Sequence, residues 1–227
     1  MKQLDPEKLL RLGPLTERGW LSEQPVDFQH RIAAAGRWAN FGRGQLLYDV
    51  GDPSEMLYGL GSGALDVSLP IKPDESVSFH RGEPGSWIGD SGLLAKTNRS
   101  ITVRSAAQSR VFCVPAAAIR AILRDHPGDW QHFYMLSHIN ATLMARILAE
   151  TLSMTPRALF ARTLLRLADE DGHVRLTQED LTRLAGMSRA TFRRTFSELI
   201  DLGAVETGYG GLRIRNPAAL QDVIAKG

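Results

Sequence analysis

Thr177, Ser188, Arg189, Thr191, Arg193 and Arg194 are side chains of the kind that grip a nucleic acid. Between Leu181 and Ser197 there are four arginines (Arg183, Arg189, Arg193, Arg194) and no acid. A guanidinium can give two parallel hydrogen bonds to guanine O6 and N7 in a major groove. Serine and threonine hydroxyls suit phosphate oxygens, helped by the partial positive charge of a helix N-terminus. A solvated helix face would carry the same arginines, so the surrounding elements decide between the two readings.

Those elements have a recognisable order. Thr177 can cap a helix that Gln178 begins, with Asp180 three residues on. Leu181, Leu184 and Ala185 form its inner face. Ala185-Gly186-Met187-Ser188 is a short turn in which Gly186 is free to take a positive φ. Ser188 then caps a second helix, Arg189 to Asp201, with Phe192, Phe196 and Leu199 inward and Arg189, Ala190, Arg193 and Arg194 outward. Behind it, Ala204–Thr207, Gly208–Gly211 and Leu212–Arg215 read as strand, turn and strand, a wing whose Arg213 and Arg215 could meet phosphates. The pattern is a winged helix-turn-helix. The competing reading is a helical hairpin without DNA function; caps, turn, charge and wing together favour DNA.

The 227 residues leave room for a further domain. The first 35 residues have helical apolar spacings (Leu9, Leu10, Leu12; Phe28, Ile32) interrupted by Pro14 and Pro25. From Gly36 to about Pro115 the texture changes to short alternating runs, such as Gln45–Tyr48, Met56–Leu60, Ala64–Ser68 and Arg110–Val114. Turn signals separate them at Gly51-Asp52-Pro53, Gly61-Ser62-Gly63, Pro73-Asp74 and Glu83-Pro84-Gly85. Many short strands at this spacing indicate a sandwich or barrel.

From Trp130 to Thr151 nothing breaks a helix. Phe133, Leu136, Asn140, Leu143 and Ile147 step by three and four, which is a heptad stripe. Tyr134, Ala141, Ala145, Leu148 and Leu152 form a second apolar face. Such a helix packs on its own barrel with one face and on a partner helix with the other. The first stripe is the expected dimer contact; the alternative is a helix wholly internal to one chain. Thr155-Pro156 stops this helix and starts another.

Net charge is +2, and residues 155–227 hold all of the excess, 11 Lys+Arg against 9 Asp+Glu. The one cysteine, Cys113, excludes an internal disulfide and an all-cysteine iron–sulfur cluster. No metal site is expected; six histidines, with His132 and His138 on the long helix, leave haem open. No run approaches the roughly 18 apolar residues of a membrane span, and no apolar leader follows Met1, so a cytoplasmic protein is expected. No P-loop, nucleophile elbow or metalloprotease motif is found, which argues against an enzyme.

The chain resembles the CRP/FNR family of bacterial transcription regulators. In the strand-rich half the likeness lies in Gly44–Tyr48, Gly51-Asp52 and Tyr58–Val67. In the C-terminal half it lies in Thr177–Leu181 and Gly186–Thr191. The resemblance implies an α+β chain: an N-terminal β-barrel or jelly roll of the cyclic-nucleotide-binding type over 1–126, a dimerisation helix over 127–154, and a winged helix-turn-helix over 155–227. It further implies a homodimer through the 130–151 helix, an inverted-repeat double-stranded DNA operator and RNA polymerase as a partner. The implied effector is cAMP or a related cyclic nucleotide. Its cassette would be Gly89, Asp90 and Ser91, followed by Arg99 and Ser100, with Thr142 on the long helix. Arg99 would meet the cyclic phosphate, Ser100 would add a hydrogen bond, and Asp90 would accept from the ribose hydroxyl.

The sequence departs from the family pattern in four places. Asp90 stands for a glutamate, and the Gly89–Arg99 loop is one residue short. Met144 and Ala145 stand where cAMP responders carry hydroxyls. Ala190 stands where many members have a base-reading glutamate, and offers a base only a methyl contact. An effector-independent dimer, or a barrel that has lost nucleotide recognition, is the alternative these departures raise.

Overall fold

The computed structural model describes residues 12–72, 75–169, 171–208 and 210–227. Leu9, Leu10, the Pro73-Asp74 turn and Tyr209 lie outside them. By contacts the chain forms two compact units, Met1–Ser76 with His80–Leu143 and Val77–Phe79 with Met144–Gly227.

The first unit opens with helix α1 (Pro14–Glu17), a 3₁₀ turn (Trp20–Glu23) and α2 (Val26–Ala35). Strands β1 (Arg37–Phe41), β2 (Leu46–Tyr48), β3 (Met56–Ser62), β4 (Leu65–Lys72), β5 (Glu75–Gly82) and β6 (Trp87–Ile88) follow. A short helix α3 (Asp90–Ala95) precedes β7 (Thr102–Ser105) and β8 (Ser109–Pro115). Two four-stranded antiparallel sheets result, in the orders β1-β8-β3-β6 and β2-β7-β4-β5. This is the expected strand-rich domain.

Its glycines have a steric purpose. A Cβ on Gly59 would lie 2.7 Å from the Trp87 ring, and one on Gly61 2.5 Å from the Trp38 ring. The Gly-Leu-Gly spacing on β3 therefore lets two indoles approach the backbone closely. Trp87 packs edge-on against Trp20, which also meets Phe28 and Phe133. A buried two-hydrogen-bond pair, Arg81 with Asp66 at 2.6 and 2.9 Å, ties β5 to β4.

Helix α4 (Ala116–Asp125) leads to the long helix α5 (Trp130–Ser153). Arg31 of α2 holds Asp129, just before α5, through bonds of 2.7 and 2.8 Å. The structure reverses the assignment of the two apolar faces of α5. Phe133 and Leu136 are 1% exposed and belong to the core of the first unit, and Asn140 bonds to protein groups. The open face is the other one: Tyr134 (69%), Leu148 (59%) and Leu152 (77%), with His138, Ala141 and Ala145 exposed between them. Tyr134, His138, Ala141, Ala145, Leu148 and Leu152 also step by four and three. Both faces obey the heptad rule, so spacing could not rank them. The aromatic pocket of Trp20 and Phe28 takes Phe133, which has no hydroxyl to satisfy, inward.

In the second unit, α6 (Pro156–Leu167) is capped by Thr155, which accepts from the Ala158 N–H. Strand β9 (His173–Val174), α7 (Gln178–Leu184), α8 (Arg189–Asp201), β10 (Val205–Gly208), β11 (Gly211–Ile214) and α9 (Pro217–Ala225) complete it. Its core centres on Phe160, Phe192 and Phe196, with Leu181, Leu199, Val205 and Leu212. Glu150, at the end of α5, accepts from Arg166 at 2.9 Å and lies 3.5 Å from Arg162, both on α6.

Candidate nucleic-acid interface and effector cassette

The two reading helices start as their sequences dictate. Thr177 Oγ1 accepts from the Asp180 N–H at 3.1 Å and donates to the Asp180 carboxylate at 3.0 Å. Ser188 Oγ accepts from the Thr191 N–H at 3.1 Å. Gly186, at φ +62°, makes the turn between the helices. The inward triplet Phe192, Phe196 and Leu199 is buried, which fixes the rotation of α8 about its axis. Arg189, Ala190, Arg193 and Arg194 consequently face outward, with Thr177 and Ser188 also exposed and Thr191 half-buried.

The charges of this surface are sorted. Arg183 is held by Asp180 at 2.8 Å, and Arg215 on the wing by Glu206 at 2.7 Å. Glu198, on the far half of α8, faces Arg157 at 3.4 Å. Arg189, Arg193 and Arg194 have no ion-pair partner among the described residues. The Arg183–Asp180 pair sits at helical spacing in the sequence and could have been read there; the cross-strand pair of Arg215 could not.

Of the cassette residues, Arg99 reaches back to Gly89, in an arrangement the sequence did not suggest. Gly89, at φ +98°, precedes α3, and a Cβ there would lie 2.6 Å from Arg99 Nη1. Arg99 is 5% exposed. Its Nη1 donates to the Gly89 carbonyl at 2.8 Å and its Nη2 donates to the Met56 carbonyl. Its guanidinium lies over Tyr48, 4.2 Å from the ring centroid. Arg99 Nε and Tyr48 Oη are buried without partners. Burial pushes the Tyr48 phenol well above its ordinary value, against the pull of Arg99, and raises Tyr58 likewise.

Asp90 is also 5% exposed. Its carboxylate accepts from Ser137 Oγ at 2.5 Å and from Asn140 Nδ2 at 2.8 Å, both on α5. Ser91, Ser100 and Thr142 are exposed. Thr142 lies on a different side of α5 from Asn140. Sequence reasoning missed Ser137, Tyr48 and Tyr58, and gave Asn140 to the dimer contact. The only prior signal was a polar residue within an apolar stripe.

A 3′,5′-cyclic nucleotide needs a cation with free donors for its phosphate and a free acceptor for its ribose. Arg99 has its two terminal nitrogens on protein carbonyls, and Asp90 has both oxygens on α5. The residue types suit the ligand: Arg99 keeps donors, its Nε among them, whereas both oxygens of the buried Asp90 are already engaged by α5.

Asp169, Asp171 and His173 could bring ligand atoms within 4.8 Å of one another in an exposed turn. The Asp169 carboxylate, however, accepts from the His173 and Asp171 N–H groups and lies 3.6 Å from Arg175. Those hydrogen bonds, led by that of His173, hold its carboxyl below the usual range. No helix among the described residues is long and apolar enough to cross a membrane.

This geometry, a two-sheet sensor-type domain followed by a winged helix-turn-helix, defines a class of regulators. Residues 38–126 match the model of the cyclic nucleotide-binding domain, and residues 160–223 that of the Crp-like helix-turn-helix domain. The chain is 25% identical over 190 residues to the cyclic AMP receptor protein of Thermus thermophilus, covering 80% of this chain and 85% of that one. It is 23% identical over 195 residues to the transcriptional regulatory protein btr of Bordetella pertussis, covering 81% and 79%. A putative potassium channel protein of Rhodopseudomonas palustris is 26% identical over 86 residues, and the chain spans only 20% of its length. In fold, the chain is similar to FixK2 of Bradyrhizobium japonicum, with a TM-score of 0.70, 18% identity and 83% and 96% of the two chains covered. The c-di-GMP responsive regulator CLP of Xanthomonas campestris gives 0.65, 19%, 84% and 99%. The chain belongs to the CRP/FNR family of transcription regulators.

Proposed function

We propose that two copies pair through the open heptad face of α5 and read an inverted-repeat operator. An α8 from each copy enters a major groove, the half-sites lying about one helical turn, roughly 34 Å, apart. Arg189, Arg193 and Arg194 meet base edges, and Ala190 gives a methyl contact. Thr177, Ser188 and Thr191 hold phosphates and fix the register. The barrel is the control domain for a small-molecule effector, cAMP or a related cyclic nucleotide being the one the family implies. RNA polymerase is the protein partner, and the cytoplasm the compartment.

The observation that carries this reading is the row of three outward arginines at the capped end of α8, without an ion-pair partner among the described residues. The test is selection of the preferred duplex from a random pool, then anisotropy titrations of wild type and Arg194→Ala. The variant should lose about 1–3 kcal/mol and relax base preference at one position per half-site. Unchanged affinity with an unchanged preference would remove Arg194 from base reading. A second reading, control without a cyclic nucleotide, is favoured by the engaged carboxylate of Asp90.

A further inference from the structure

Asp90 opens α3 at the cassette, yet both of its oxygens are turned to α5. Ser137 and Asn140 are three residues apart on α5 and so share one side of it. Ser137 Oγ bonds Oδ2 at 2.5 Å, and Asn140 Nδ2 bonds Oδ1 at 2.8 Å. Asn140 Nδ2 also reaches the Trp87 carbonyl at 3.2 Å, on the strand that leads into the cassette. A buried carboxylate needs such donors, because leaving it without them is costly. Its chain length fits this use: a glutamate would carry the carboxyl one methylene further and disturb both bonds. The neighbouring Arg99 holds the Gly89 and Met56 carbonyls through its two terminal nitrogens, while its Nε is buried without a partner, so the engaged carboxylate, not the guanidinium, closes the cassette.

We infer that Asp90 is a latch that fastens the long helix to the cassette and, by doing so, closes the cassette to 3′,5′-cyclic nucleotides. Helix α5 and an incoming ribose require the same carboxylate, and α5 holds it. Asp90 is therefore a specificity-determining residue of the barrel, selecting against ligands that must hydrogen-bond to it. What the latch controls rests on the regulator reading above; the latch itself does not.

The test uses the full chain as wild type, Ser137→Ala/Asn140→Ala, Ser137→Thr and Asp90→Asn. Hydrogen exchange is followed in α5 amides 130–143, with β3 and β8 amides as an internal reference for global stability. The double variant should exchange at least about tenfold faster in that half of α5, with β3 and β8 unchanged. Ser137→Thr, which keeps the hydroxyl, should exchange like wild type. Equal exchange in the double variant and wild type would overturn the latch, as would acceleration spread evenly over α5, β3 and β8. Calorimetric titration of wild type with cAMP and with cGMP should show no binding up to about 1 mM. Micromolar binding to either, lost in Asp90→Asn, would assign the carboxylate to the ribose and overturn the inference. Operator titrations on the same samples separate the two claims: wild type failing on every selected duplex would sink the DNA reading and leave the exchange result standing.

Discussion

Cys113 shows what burial does to a reactive group. It lies inside β8, and burial pushes its thiol from the ordinary value of 9 to about 11. At pH 8 the thiolate fraction falls to about one in a thousand, against about one in ten for an unperturbed thiol. Alkylation by iodoacetamide at pH 8 should therefore be about 100-fold slower in the native protein than in urea. Equal rates would show that the thiol is open. The sequence already marked Cys113 as a strand residue in an apolar run. Arg99 was less legible: its type and its place after the cassette suggested a phosphate ligand. Its actual partners, Gly89 and Met56, lie 10 and 43 positions away, and no local spacing encodes a contact at that range.

The helices were the most readable elements because their ends carry chemistry. Thr155, Thr177 and Ser188 each cap the helix they precede, and α8 runs over Arg189–Asp201 as its spacing predicts. Strands β5, β6 and β7 were harder, being short or flanked by polar residues. Helix α5 was half legible. Its two apolar faces were evident, but their destinations depended on the barrel aromatics, which no property of α5 itself reveals. The outcome separates two substitutions. Leu148→Glu, on the open face, should leave folding intact and convert dimer to monomer in sedimentation equilibrium. Leu136→Glu, in the first core, should instead unfold the N-terminal unit and lower the melting temperature. A stable Leu148→Glu dimer would place the subunit contact elsewhere.

The described residues form two apolar cores, one built on Trp20, Phe28 and Phe133 and one on Phe160, Phe192 and Phe196. All four tryptophans (Trp20, Trp38, Trp87, Trp130) lie before residue 144, so indole emission reports the first unit alone. Phe192→Ala should cost the second unit about 3–5 kcal/mol. Circular dichroism at 222 nm should then show an early loss of helix, while the tryptophan midpoint stays in place. Coincident, equally lowered midpoints would mean that the two units unfold as one. This two-part organisation was readable from the change of texture near Pro115 and the break at Thr155-Pro156. The switch from one unit to the other inside α5, between Leu143 and Met144, was not, since an unbroken helical pattern gives no sign of what each turn touches.

The open face of α5 also bears on dosage. A single chain carries one α8 and can address only half of an inverted repeat. On the proposed pairing, operator occupancy at chain concentrations below the dimer dissociation constant follows the square of the amount of protein made. A small change in synthesis or turnover would then be felt at the promoter as a larger one, with the exposed Leu148 and Leu152 setting the concentration at which that amplification ends.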